Sequence, residues 1–182
     1  MLTCEEYLDA VLKYYQSTFD IERPYTLESE ECLAYGHFYS HSEKYVLTRS
    51  AKMWEANSFE HAFFFQCPVP GAEMVERVRE LAERHVEPQM VRGGNALPEK
   101  NHMYTYLTFV FLSEGAVTPE TMKAVKKFKL TRNYLFSIRG WCEARTVLVD
   151  LASQRVYANA KGKPLVPVFE KVLKKIQTPA RV

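Results

Sequence analysis

The chain has 182 residues, of which 47% are hydrophobic and 13% aromatic, enough to fill the core of one large domain and too much for a disordered segment. Its formal net charge of +2 conceals a split, because residues 1–117 carry 10 Lys/Arg against 18 Asp/Glu and residues 118–182 carry 14 against 4. No apolar stretch approaches the roughly 20 residues that span a bilayer, and the opening Met1-Leu2-Thr3-Cys4-Glu5-Glu6 is acidic where a secretory signal is basic and then apolar. The expectation is a cytoplasmic protein that keeps clear of membranes.

Thr3 with Glu6 three positions on is a capping-box pattern, and Leu8, Val11, Leu12, Tyr15 and Phe19 follow at helical spacing. A first helix is predicted over Thr3–Phe19. Between Ile21 and Cys67 aromatic and β-branched segments are broken by polar turns, which reads as three or four strands. One strand face would carry Leu33, Tyr35, His37 and Tyr39, another Phe59, His61, Phe63 and Phe65. After Pro68-Val69-Pro70-Gly71, the stripe Met74, Val78, Leu81 and His85 predicts a second helix that Pro88 stops.

Residues 88–101 form a connection longer than most in a compact domain and are expected to be a mobile or binding loop. Met103–Leu112 is apolar or hydroxylated on both sides and predicts a strand buried on both faces. Thr118 as N-cap and Pro119 at the first helical position open a short helix carrying Lys123, Lys126 and Lys127. A meander over 128–138, 142–151 and 155–158 comes next. Leu165, Phe169, Val172 and Ile176 then stripe a C-terminal helix backed by Lys171, Lys174 and Lys175. Runs of strands outnumber strict βα alternation, so the predicted class is α+β, with a mixed, mainly antiparallel sheet packed by about four helices. One domain over 1–182 is expected, and any boundary would fall in the 88–101 loop.

The chemistry-bearing motifs are sparse. Cys4, Cys32, Cys67 and Cys142 are scattered without CxxC or Cys/His spacing, so they read as reduced packing groups and no zinc finger is expected. His37 and His41 on one strand would lie about 13 Å apart at about 3.3 Å per residue, too far to share an ion, and no metal site is expected even with Glu43 nearby. The element order suits a restriction-endonuclease-like enzyme, but no Asp/Glu-x-Lys occurs. GxSxG, HExxH, GxGxxG and a phosphate loop are missing too, and no cofactor is implied. Asn159-Ala160-Lys161-Gly162-Lys163 reads as a solvated connection from strand to helix.

The strongest polar run is Arg139-Gly140-Trp141-Cys142-Glu143-Ala144-Arg145, in which Glu143 and Arg145 point the same way. Two arginines, a tryptophan and a glutamate at a strand junction suit an anionic or aromatic ligand. The competing reading is a cross-strand ion pair with Trp141 at the core edge. His102, opening the buried strand, is either a further site residue or a structural cap. His102, Arg139, Trp141, Glu143 and Arg145 are therefore the candidate ligand-binding residues.

The segments His37-Phe38-Tyr39, Glu43-Lys44-Tyr45, Ala51-Lys52-Met53-Trp54, His102 to Thr108 and Gly140-Trp141 through Val149-Asp150-Leu151 resemble an uncharacterised bacterial domain family across nearly the whole chain. The resemblance implies a small bacterial cytoplasmic protein and carries no activity, cofactor or catalytic residue. Three functions compete. One is a binding or interaction module with a protein partner or a second copy of the chain. Another is an enzyme using His102, Glu143 and Arg145. The last is a binder of nucleic acid or another anionic ligand through the basic C-terminal third.

Overall fold

The computed structural model describes residues 2–45 and 52–177. The Ala51-Lys52-Met53-Trp54 phrase lies partly outside them, as does the chain beyond Gln177. Thr3 caps the first helix, α1 (Cys4–Tyr15), as its sequence requires: Glu6 N donates to Thr3 Oγ1 at 3.2 Å and Thr3 N to Glu6 Oε2 at 3.0 Å. Such a cap contributes about 1 kcal/mol. The helix ends at Tyr15, short of the predicted Phe19, and the chain turns over the next residues so that Phe19 can pack on Phe38.

Five strands follow where three or four were expected: β1 (Asp20–Glu22), β2 (Tyr25–Leu27), β3 (Glu30–Cys32), β4 (Ala34–Tyr45) and β5 (Lys52–Gln66). The surplus comes from three-residue strands too short to show alternation in sequence. Tyr35, His37 and Tyr39 share one face of β4, but Leu33 precedes the strand and packs in the core on the other side of the sheet.

Helix α2 (Ala72–Leu81) runs on through Pro88 as wider π-helical turns over Ala82–Val91. Proline lacks a donor and crowds the carbonyl four residues back, and widening the turn relieves that clash without ending the helix. This corrects the expected stop at Pro88. Val86 rather than His85 then faces the core, and His85 bonds Glu28 at 2.7 Å.

Next come β6 (His102–Ser113), α3 (Pro119–Lys127), β7 (Thr131–Asn133), β8 (Trp141–Asp150), β9 (Arg155–Ala158) and, after one 3-10 turn, α4 (Val166–Gln177). The strand expected over 128–138 is confined to β7. Leu135, Phe136 and Ser137 turn back in the left-handed region with φ of 48°, 53° and 68°, leaving Phe136 98% exposed.

A seven-stranded mixed sheet runs β1-β4-β5-β6-β8, with β7 and β9 sharing the outer edge of β8. The pairs β5/β6 and β6/β8 are parallel and the others antiparallel. The fold is α+β in three layers. Both parallel crossovers place their helices, α2 and α3, on one face over Phe63, Phe65, Leu107, Phe109 and Phe111. Helices α1 and α4 cover the other face over Ala62, Phe64, Val110, Leu112, Val147 and Val149. The consecutive apolar runs of β5, β6 and β8 follow from burial on both faces.

Candidate functional site

Parallel register sets residues of β5, β6 and β8 in rows across the sheet. Ser58, Tyr104 and Trp141 form one row, Glu60, Tyr106 and Glu143 the next, and Ala62, Thr108 and Arg145 the third. All lie on the face of α1 and α4. Helix α1 starts beside Leu112, where Cys4 Sγ donates to the Leu112 carbonyl, and ends with Tyr15 edge-on to Phe64. The apolar core beneath the two helices thus ends near Ala62, and the rows of Tyr104 and Tyr106 continue beyond it, partly exposed.

On that open half Tyr104 stacks on Trp141 with centroids 5.3 Å apart and planes at 21°, while Tyr106 meets Trp141 at 5.4 Å and 67°. The Arg145 guanidinium carbon sits 3.0 Å from the Tyr106 ring centroid. Its Nε is buried and has no hydrogen-bond partner, and among the described residues Arg145 forms no ion pair. Glu143 is turned instead to Lys161, Oε2 to Nζ 2.7 Å, so the expected pairing of Glu143 with Arg145 is not what the side chains make. Thr108 Oγ1 donates to Glu60 Oε1 at 2.6 Å. Burial raises the Glu60 carboxyl above its ordinary range, against the lowering effects of the Thr108 bond and of Arg145. A guanidinium with unused donors over one ring, beside two stacked rings, forms a receptor for a planar group bearing negative charge.

The remaining candidates stand elsewhere. His102 is on the opposite face, stacked on Phe59 at 6.1 Å and edge-on to Tyr134 at 5.8 Å. Its Nδ1 lies 2.9 Å from the Arg139 carbonyl, which only accepts, so Nδ1 carries the proton and Nε2 accepts from Thr105 Oγ1 at 2.8 Å. Burial lowers the His102 pKa, opposed by the Arg139 carbonyl and Glu99. Both ring nitrogens are engaged, so His102 does not join Glu143 and Arg145 as an acid–base group. Arg139 reaches the Pro98 carbonyl at 3.4 Å and lines a hollow of about 500 Å³ with Met90, Arg92 and Leu97.

His102 and Trp141 do both border another hollow, of about 530 Å³, with Glu55, Asn101 and Ile138. Gly140 makes this junction: at φ 75° it packs so closely on the Met103 carbonyl and the His102 ring that a Cβ would collide with both.

A hollow of about 1050 Å³ lies at the other end of the strands and is lined by Glu5, Arg23, Glu30, Cys32, Cys67 and Glu114 among others. Arg23 pairs with Glu5 at 2.6 Å, Arg77 with Glu30 at 2.8 Å, and Glu114 accepts from Cys4 N at 2.7 Å. Burial pushes the Cys32 thiol up to about 12 and Cys67 to about 11, so neither is a ready nucleophile. A potential metal-ligating group, His41, Glu43 and Glu55, stands near the far end of the β4–β5 hairpin. His37 is not part of it and stacks on His61 at 4.9 Å.

Sequence reasoning missed Tyr104, Tyr106, Glu60, Thr108 and Lys161. The alternations Tyr104-x-Tyr106-x-Thr108 and Trp141-x-Glu143-x-Arg145 are visible in the chain, but only strand pairing sets them side by side. The sequence predicts a solvated segment over Asn159–Lys163. Asn159 is in fact buried and its side chain makes four hydrogen bonds, and it is the following Lys161 that reaches Glu143.

The fold and this face define a class: a three-layered α+β domain with one half-sheet outside its helical cover that carries Tyr104, Tyr106, Trp141 and Arg145 beside Glu60 and Glu143. The chain belongs to the family described as Domain of unknown function (DUF8052), whose family model matches residues 3–171. Comparison with curated proteins gives no match, and comparison with solved structures gives none either. No helix among the described residues is long and apolar enough to cross a membrane.

Proposed function

We propose that this chain is a binding module, not an enzyme, and that the open half-sheet takes a planar anionic ligand of the nucleotide class. The observation that carries the reading is Arg145, whose guanidinium lies on Tyr106 beside the Tyr104–Trp141 stack with a buried, unpartnered Nε. A base or other flat ring would stack at Trp141, and a phosphate would take the guanidinium donors. The nucleic-acid reading through the basic C-terminal third has less support. Lys123, Lys126 and Lys127 belong to α3 on one face of the sheet, and Lys171, Lys174 and Lys175 to α4 on the other, so the six form no single surface. A cytoplasmic setting fits the four cysteines, all buried and free.

The test is calorimetric titration of the wild type, Arg145→Ala and Trp141→Ala with mononucleotides, nucleosides and inorganic phosphate. Nucleotides should bind best, and each substitution should weaken them at least tenfold. Thermal stability of Arg145→Ala should change by less than about 1 kcal/mol, because the lost cation–π contact is worth about 0.5–1 kcal/mol and an unsatisfied buried donor goes with it. The reading fails if nothing in the panel binds, or if Arg145→Ala destabilises the fold by several kcal/mol and leaves binding unchanged.

A further inference from the structure

The turn between β7 and β8 carries Leu135, Phe136 and Ile138 at 49%, 98% and 79% exposure, and Met103, which shares a hollow with Ile138, is 50% exposed. Clustered apolar side chains left in water mark an interaction surface. The turn is also firmly built. Ile138 N donates to the Leu135 carbonyl at 3.0 Å, Arg139 N to that of Tyr134 at 3.1 Å and Gly140 N to that of Ser137 at 3.0 Å. Leu135, Phe136 and Ser137 are held in the left-handed region, which disfavours residues with side chains. Backbone bonds thus hold an apolar prong in an outward shape that buries nothing in its own chain.

The prong is basic as well. Residues 128–141 include Lys129, Arg132 and Arg139 and no Asp or Glu, and none of the three forms an ion pair among the described residues. Glu55 and Glu99, which line the same hollows as Ile138 and Arg139, are hydrogen-bonded to Asn101 and Asn57. The hollow of about 1050 Å³ at the other end of the strands offers the reverse charge. Glu5, Glu30, Glu31 and Glu114 line it against Arg23 alone. Arg23 is spent on Glu5 and Asp9, and Glu30 on Arg77, whereas Glu31 is exposed and forms no ion pair among the described residues. Tyr25, Pro68 and Val69 add apolar wall, with Val69 49% exposed.

We propose that the Leu135–Ile138 prong of one copy seats in this hollow of a second copy, so that chains join head to tail. Opposite charge steers the two surfaces together, and Phe136 leaves water on docking. The prong stands at the start of β6, beside Met103, and the hollow at its end, beside Glu114. That strand has 12 residues, about 40 Å at about 3.3 Å each, so a chain cannot fill its own hollow. Each contact leaves one prong and one hollow unfilled, and copies then add in a row or close in a ring. The hollow belongs to the acidic residues 1–117 and the prong to the basic remainder, which gives the charge split of the chain a use between copies. An anionic bilayer would also accept a basic apolar prong, but it gives the acidic hollow no role.

Sedimentation equilibrium of the full chain at concentrations up to about 1 mM reads the association. The average mass should rise with concentration in the wild type. Association should weaken about tenfold or more in Phe136→Ser and in Glu31→Lys, with thermal melts unchanged because both side chains are exposed. The Glu31→Lys chain keeps its prong and the Phe136→Ser chain its hollow, so an equimolar mixture of the two should form a 1:1 pair and no longer species. The proposal is overturned if the wild type stays monomeric, if either variant associates as the wild type does, or if the mixture forms no pair. Co-sedimentation of a monomeric wild type with phosphatidylserine vesicles, lost in Phe136→Ser, would assign the prong to a lipid surface and overturn it equally.

Discussion

Asn159→Ala tests the join between the sheet edge and the segment that carries Lys161. Strands β7 and β9 leave a gap along β8 between Glu143 and Val147, and Asn159 fills it with its side chain. Its Oδ1 accepts from Thr146 N at 3.1 Å and Gly162 N at 2.7 Å, and its Nδ2 donates to the carbonyls of Phe128 at 2.9 Å and Ala144 at 3.1 Å. The residue is 3% exposed, so water does not replace these partners without opening the structure. Four bonds at about 1 kcal/mol each, two of them leaving buried N–H groups unpaired, give a loss of about 3–5 kcal/mol. For a chain of this length that is a fall of about 8–13 °C in Tm. Urea and thermal unfolding followed by circular dichroism measure it. Asn159→Asp supplies a second signature. It keeps the two acceptor bonds and sets a carboxylate against two carbonyls, so it should be destabilised at neutral pH and recover as acid protonates it. A loss below about 1 kcal/mol for Asn159→Ala, or no recovery of Asn159→Asp in acid, would refute the account of the gap.

Two further outcomes follow from burial. His61 accepts at Nδ1 from Tyr35 Oη, 2.7 Å away, and bonds the Met90 backbone, while burial and then the nearby His37 lower its pKa to about 3. A depressed pKa means the folded state binds fewer protons, so the stability present above about pH 6.5 is lost as pH falls toward 3. The loss is up to about 1.4 kcal/mol per unit from this one group, and acid titration of His61→Gln should show a flatter slope. Phe169 is fully buried between α4 and the sheet, and Tyr7 Oη donates to its carbonyl at 2.8 Å. Phe169→Ala should cost about 3–5 kcal/mol in urea denaturation, and a loss under about 1 kcal/mol would show α4 to be peripheral.

The sequence by itself determined the local grammar of this protein. Thr3/Glu6 and Thr118/Pro119 placed two helix starts, because capping depends on residues three apart. The periodicities of Met103–Leu112 and of the Phe169 stripe marked a doubly buried strand and an amphipathic helix, because those spacings are set by the backbone alone. The same logic put Trp141, Glu143 and Arg145 on one strand face. What tertiary structure decided is everything that depends on which strands pair. The parallel register of β6 with β8 brings Tyr104, Tyr106 and Thr108 to Trp141, Glu143 and Arg145, and that of β5 adds Glu60. It also sends His102 to the opposite face, away from the residues it was grouped with, through the register shift between Asn57 and Ser58. Pro88 passed through by wider helical turns likewise departs from local preference, and Leu135–Ser137 turn back in the left-handed region with exposed side chains, the turn closed by Arg139 N donating to the Tyr134 carbonyl and Ile138 N to that of Leu135. A strand's side-chain alternation has a period of two whatever its neighbour, so the chain records which residues share a face and leaves unrecorded which strand will stand beside them.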